Sequence, residues 1–197
     1  MASYLAIAAV GQALVNLLRD ASRQEFPQAV FELFQASDFE KNFPGTEGGS
    51  VFLYRIGAHN NRRNLPPRPD ADGTRYRPSL PVDLFFLITP WAAQKETQYR
   101  LLGWIMRTLE DTPILPAALL NEMDTNSEIF RPKESVEFIF DPLSLQDMSI
   151  IWENLKQVKI LPSVTYVARM ILLDSRLPMI TGEPMQTREF AFSKALS

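Results

Sequence analysis

His59, the one histidine in the chain, and Asp83, an aspartate inside its most apolar run, are the side chains whose type and setting raise acid–base chemistry. A Ser–His nucleophilic pair would have to use His59, and no carboxylate lies beside it in sequence. It falls in an arginine-rich stretch and reads as a surface loop histidine. Asp83 lies within L-P-V-D-L-F-F-L-I-T, residues 80–89. A carboxylate buried in such a segment needs partners, or its neutral form is favoured. A structural or inter-subunit pairing with an arginine explains Asp83 better than a catalytic acid or base. There is no cysteine, hence no thiolate metal site, disulfide framework or cysteine nucleophile. Asp70 and Asp72 carry oxygens a metal could use, but D-A-D-G fits a solvated turn. Neither G-x-x-x-x-G-K-[ST] nor G-x-G-x-x-G occurs, so the familiar phosphate cradles are missing. These residues imply no cofactor, no metal and no enzyme.

The other concentrated chemistry is charge. Between Arg55 and Arg77 stand six arginines against two aspartates, a local balance of +4. The whole chain has a net charge of -3, which leaves -7 for the remainder. Arg62, Arg63, Arg68, Arg75 and Arg77 are the candidate contact residues of this loop. Arginine grips phosphate well, so a nucleic-acid-binding module is the alternative reading. The loop has a single aromatic, Tyr76, and many prolines, and the overall charge opposes that reading. A protein contact, for which arginine is also favoured, is preferred. The end of the chain, T-R-E-F-A-F, alternates polar and apolar residues. Arg188, Phe190 and Phe192 would form the faces of a strand added to a neighbour.

The elements that must position these residues follow from periodicity. Residues 80–89 read as a strand buried on both faces. The helix after it, about 95–110, carries Leu101, Leu102, Ile105, Met106 and Leu109 on one side. Tyr4 to Arg19 reads as an amphipathic first helix that Ser3 can cap, with Ile7, Val10, Leu14, Leu17 and Leu18 as its stripe. Its flanks are not those of a signal peptide, and no run reaches the ~18 apolar residues of a membrane span. Strands are expected at 29–34, 51–56, 135–140 and 164–173, with Glu32 and Glu137 on solvated sides. Pro116 to Met123 reads as a short helix begun by proline. Ser144 caps another helix, with Asp147 three residues on and Met148, Ile151, Trp152 and Leu155 as its buried stripe. That hydroxyl is worth roughly 0.5–2 kcal/mol.

The fold class is mixed α/β: a single sheet of about five strands flanked by helices. Its two strand–helix–strand units, around the 94–110 and 144–157 helices, have the lengths of right-handed parallel crossovers. The chain divides into a domain at 1–177 and an arm at 178–197.

Seven segments in order carry a resemblance. They are L-V-N-L-L-R, V-F-L-Y-R-I, N-N-R-R-N-L-P-P-R, R-P-S-L-P-V-D-L-F-F-L-I-T, E-T-Q-Y-R-L-L-G-W-I-M-R-T-L-E-D-T-P-I-L, V-E-F-I-F-D-P-L-S-L-Q-D-M-S-I-I-W and S-V-T-Y-V-A-R-M-I-L-L. Their order and spacing, from about residue 3 to about 174, resemble the conserved N-terminal domain of the cap, or tail-terminator, proteins of phage-tail-like contractile injection systems. The resemblance implies a tail-terminator-like fold and a structural role. It implies a homohexameric ring on the distal end of the inner tube and contractile sheath that ends polymerisation. The implied partners are copies of the chain itself and the tube and sheath subunits, with no nucleic acid. The implied place is the cytoplasm, within an assembled particle that can be released. Many such caps carry a further C-terminal domain, and this chain resembles the single-domain form.

Overall fold

Leu84, Phe86 and Ile88 point to one face of the central strand and Leu87 to the other, and all four are fully buried. The strand must therefore be covered twice. In the computed structural model, which describes residues 4–41, 43–59, 65–70, 73–122, 129–155 and 160–179, it is. The helices are α1 (Ala6–Ser22), α2 (Lys95–Asp111), α3 (Ala117–Leu120) and α4 (Leu145–Asn154). The strands are β1 (Val30–Phe34), β2 (Glu47–Ala58), β3 (Arg68–Pro69), β4 (Arg75–Tyr76), β5 (Leu80–Ala92), β6 (Ile114–Pro116), β7 (Ser135–Phe140) and β8 (Val164–Leu173). A 3₁₀ turn, Ala36–Glu40, follows β1.

One six-stranded sheet has the order β1-β2-β5-β8-β7-β6, and β3 and β4 form a separate two-stranded ribbon. Only β1 and β2 pair in parallel; the other neighbours are antiparallel. The sixth strand, β6, was not expected. It is three residues long, ends on Pro116 and directly follows Pro113, where the sequence reads as a helix stop. Proline is tolerated there because β6 is an edge strand with a free outer side.

Of the two expected crossovers, the first joins parallel strands and the second does not. β5 and β7 do run parallel, but β8 lies between them. β7 and β8 are antiparallel neighbours, so the α4 connection is not a parallel crossover. The Asp141 N–H donates to the Thr165 carbonyl at 2.9 Å, and the Thr165 hydroxyl donates back to the Asp141 carbonyl at 2.5 Å. The end of β7 is thus pinned to the start of β8, and the chain between them leaves and re-enters at one end of the sheet.

α1, α2 and α3 cover the first face. Leu101, Ile105 and Leu109 of α2 and Val10, Leu14 and Leu18 of α1 meet Phe31, Val51, Phe86 and Phe138 from the strands. Tyr166 stacks on Phe138 in this layer, with ring centroids 5.0 Å apart, and burial pushes its phenol up to about 12. The second face is covered more sparingly. Trp152 of α4, Leu155 just after it and Phe39 of the 3₁₀ turn pack on Leu87. Ser144 caps α4 as its position predicts, accepting the Asp147 N–H at 3.1 Å. The Ser3 cap lies outside the described residues.

Gly48 shows how tightly β1 is set. A Cβ there would lie 2.1 Å from the Val30 carbonyl oxygen and 2.6 Å from the Trp91 ring. Trp91 is held by its indole N–H donating to the Pro44 carbonyl at 3.0 Å and by stacking on Phe43. Neither backbone nor indole can retreat cheaply. Gly48→Ala is expected to cost about 3 kcal/mol in urea unfolding. Gly103→Ala, on the exposed side of α2 where a Cβ meets nothing, is expected to gain roughly 0.5–1 kcal/mol.

Candidate functional site

β2 does not stop at Ile56, as the V-F-L-Y-R-I run suggests, but pairs with β5 as far as Ala58 opposite Val82. The His59 N–H then donates to the Pro81 carbonyl at 3.0 Å, extending the ladder. This carries His59 out of the loop and onto the sheet, where it is 8% exposed. The expected surface histidine is therefore a buried one.

Its partner is Asp83. The His59 Nδ1 lies 2.9 and 3.0 Å from the two carboxylate oxygens. An ionised carboxylate only accepts, so Nδ1 carries the proton. Asp83 Oδ1 also accepts the backbone N–H of Met170 at 2.8 Å. Met170 has φ 56°, the left-handed region, and is the only such non-glycine among the described residues. The register between β5 and β8 slips at Val82/Leu84, so Asp83 stands opposite the extra residue of a bulge. Its carboxylate fills the role a backbone carbonyl would have had. Asp83 is thus held by a histidine and a main-chain amide, not by the expected arginine.

His59 and Asp83 border a depression of about 390 Å³ on the second face, with Arg55, Gly57, Phe85 and Arg169. Arg55 is exposed, and its guanidinium lies over the Phe85 ring at 3.7 Å. Arg169 approaches Glu137 at 4.0 Å, with both side chains about half exposed. A histidine–carboxylate pair alone can take up or give a proton. Among the described residues no hydroxyl, thiol or amine lines the depression. No cluster of three metal-ligating side chains occurs among the described residues.

The arginine loop is less free than its composition suggests. Arg68 stacks on Tyr76 at 4.8 Å and pairs with Asp174 at 3.5 Å, with its side chain 11% exposed. It braces the fold instead of offering an open contact surface. Asp174, which the sequence did not single out, is a hub. It also receives Arg131 at 3.0 Å and the Ser79 hydroxyl at 2.5 Å. Arg75 and Arg77 are exposed on β4 and its exit. Their backbones pair with the end of the described chain. The Arg77 N–H donates to the Leu177 carbonyl at 3.1 Å, and the Met179 N–H to the Arg75 carbonyl at 2.7 Å. The structure thus brings loop and tail together. Arg62, Arg63, Asp72, Arg188, Phe190 and Phe192 lie outside the described residues.

The whole arrangement has counterparts of known structure. The sheath/tube terminator of an extracellular contractile injection system, PVC, in its extended state, shares the fold at 16% identity and a TM-score of 0.60, over 96% of this chain and 64% of that one. The tube-terminating cap of the anti-feeding prophage does so at 18% identity and a TM-score of 0.57, over 95% and 60%. This chain therefore spans less than two thirds of the length of either. The mixed α/β sheet with helices on its faces is that of tail terminators. A search of curated protein sequences found no match. The family model of the Pvc16 N-terminal domain matches residues 9–187, and the chain belongs to that family.

The role of Asp83 can be checked directly. Asp83→Ala strands the buried His59 Nδ1 and the Met170 N–H and is expected to cost roughly 2–3 kcal/mol in urea unfolding. Asp83→Asn keeps one acceptor oxygen and should lose about half as much. Equal stability of all three proteins would show that the carboxylate does not hold the bulge.

Proposed function

We propose that this protein is a structural terminator, not an enzyme. It forms a ring, by expectation a homohexamer, on the end of the inner tube and contractile sheath of an injection particle and stops their growth. The observation that carries this reading is the shared fold, over 96% of the chain, with a sheath/tube terminator. Family membership supports it. So does the lack of a nucleophile beside the one acid–base pair among the described residues. The partners on this reading are other copies of the chain and the tube and sheath subunits. The protein acts within the assembled particle, in the cytoplasm before any release. No helix of the described residues is long and apolar enough to cross a membrane.

The nucleic-acid reading loses one arginine to the fold. Arg68 is committed to Asp174, while Arg75 and Arg77 keep exposed side chains and pair through their backbones with residues 177–179. Residues 180–197, beyond that pairing, are proposed as an arm that reaches a neighbouring subunit.

Electron microscopy of particle ends tests the proposal. Tube and sheath subunits assembled with this protein are expected to give particles of uniform length with a ring at one end. Without it they should overgrow. Stable ring contacts need about 1,200–2,000 Å² each. A protein that stays monomeric alone and in the mixture would overturn the reading. Deleting residues 180–197 is expected to leave the melting temperature unchanged and lower the share of capped ends. Full end occupancy by the deletion variant would remove the arm from the proposal.

A further inference from the structure

The depression beside Asp83 holds a charge that the fold does not use. Asp83 is taken up by His59 and the Met170 N–H. Arg169 has only a 4.0 Å contact with Glu137, and both groups are solvated, so that pair binds weakly. Arg55 has no carboxylate partner among the described residues. Yet it is not a loose surface arginine. It rises from β2, beside the central strand β5, and its guanidinium is laid on the Phe85 ring at 3.7 Å. Phe85 belongs to β5 and pairs directly with Arg55 across the ladder. Gly57 leaves the Phe85 ring in place, since a Cβ there would come within 3.2 Å of it.

Stacking occupies the flat side of the guanidinium and leaves its N–H edge open. That edge is the fork that matches a planar carboxylate with two parallel hydrogen bonds. Because the ring already orders the side chain, binding loses little further rotamer freedom. His59, fixed through Nδ1, has a second ring nitrogen that makes no hydrogen bond to any described residue. Arg169 adds a second positive charge to the same wall.

We infer that this depression is a carboxylate-binding site, and that its occupant is an acidic side chain of a second copy of this chain. The inference rests on the ring proposed above. Charge complementarity selects the occupant. The chain as a whole carries -3, while the depression sets Arg55 and Arg169 against the single carboxylate of Asp83. Exposed carboxylates without an ion pair among the described residues exist to meet the site. Glu32 on the edge strand β1 is one and Glu25 another. A cationic hollow on one copy facing an acidic surface on the next is a head-to-tail contact, the kind that closes into rings. A phosphate backbone is the poorer fit, because the whole molecule repels it.

Sedimentation velocity on the full chain in 50 and 500 mM NaCl tests this. Wild-type protein is expected to form a ring that loosens as salt rises. Arg55→Glu and Arg169→Glu should each weaken self-association at least tenfold. Arg55→Lys should weaken it as well, since lysine keeps the charge and loses the fork. Lys95→Glu, the same charge change at the exposed start of α2, should leave it unaltered. Rings of wild-type strength from both Arg55→Glu and Arg169→Glu would overturn the site and leave the terminator reading standing. Wild-type strength from Arg55→Lys would overturn carboxylate recognition by the fork. Salt-sensitive binding of random-sequence DNA that Arg55→Glu abolishes would assign the site to phosphate and overturn it too. A wild-type chain that is monomeric alone and with tube and sheath subunits would remove both readings together.

Discussion

Every other element hangs on the pairing of β5. It is hydrogen-bonded to β2 on one side and β8 on the other, and it is apolar on both faces. A strand in that position cannot be solvated anywhere along its middle. The chain must therefore supply two covering layers, and it does so unequally. Three helices close the first face, while one ten-residue helix and a 3₁₀ turn close part of the second. The second layer relies on rings to cover area with few residues, as Phe34, Phe39, Phe43, Phe52, Trp91 and Trp152 contact one another edge-on or stacked. Beyond that layer, on the same face, lies the depression that holds Asp83, Phe85 and Arg55.

The polar group in the middle of an apolar strand has a geometric reason. β8 needs one residue more than β5 along their shared length, which puts Met170 in the left-handed region. The bulge leaves the amide of Met170, an exposed residue, without a ladder partner. The Asp83 carboxylate supplies the acceptor. Its charge then needs a counterpart, and His59 meets it. A defect in register, a carboxylate and a histidine thus form a chain of consequences.

Much of this was legible in the residues. Strands 135–140 and 164–173 match β7 and β8 to the residue, because Asp141-Pro142 and the Pro162-Ser163 boundary leave no ambiguity. The stripes of α1 and α2 were visible because 3.6-residue periodicity survives in long helices. β6 was not, since three residues, one of them proline, carry no period. The direction of β7 against β8 was hidden as well. Helix length does not say at which end a connection returns, and the Asp141–Thr165 clasp involves residues that look like ordinary loop. Asp83 was marked as anomalous by its apolar neighbours. Its partner was hidden by the long stretch between His59 and Pro81. Two residues far apart in sequence met because β2 ran two residues further than its apolar run. Asp174 gave no signal at all, as a lone aspartate after a strand is ordinary. The family likeness was legible because it rests on the order of many weak segments.

The pairing of residues 177–179 with β4 has a mechanical side. β8 ends at Leu173, but the chain does not leave the body there. It passes Asp174, which is clamped by Arg68, Arg131 and Ser79, and then runs beside Arg75 and Arg77. Tension applied beyond Met179 would load the ribbon and this clamp first. The hydrogen bonds between β8 and β5 would feel it only after both had given way. The central sheet is in this way insulated from whatever grips the end of the chain, much as a strain relief protects the joint of a cable.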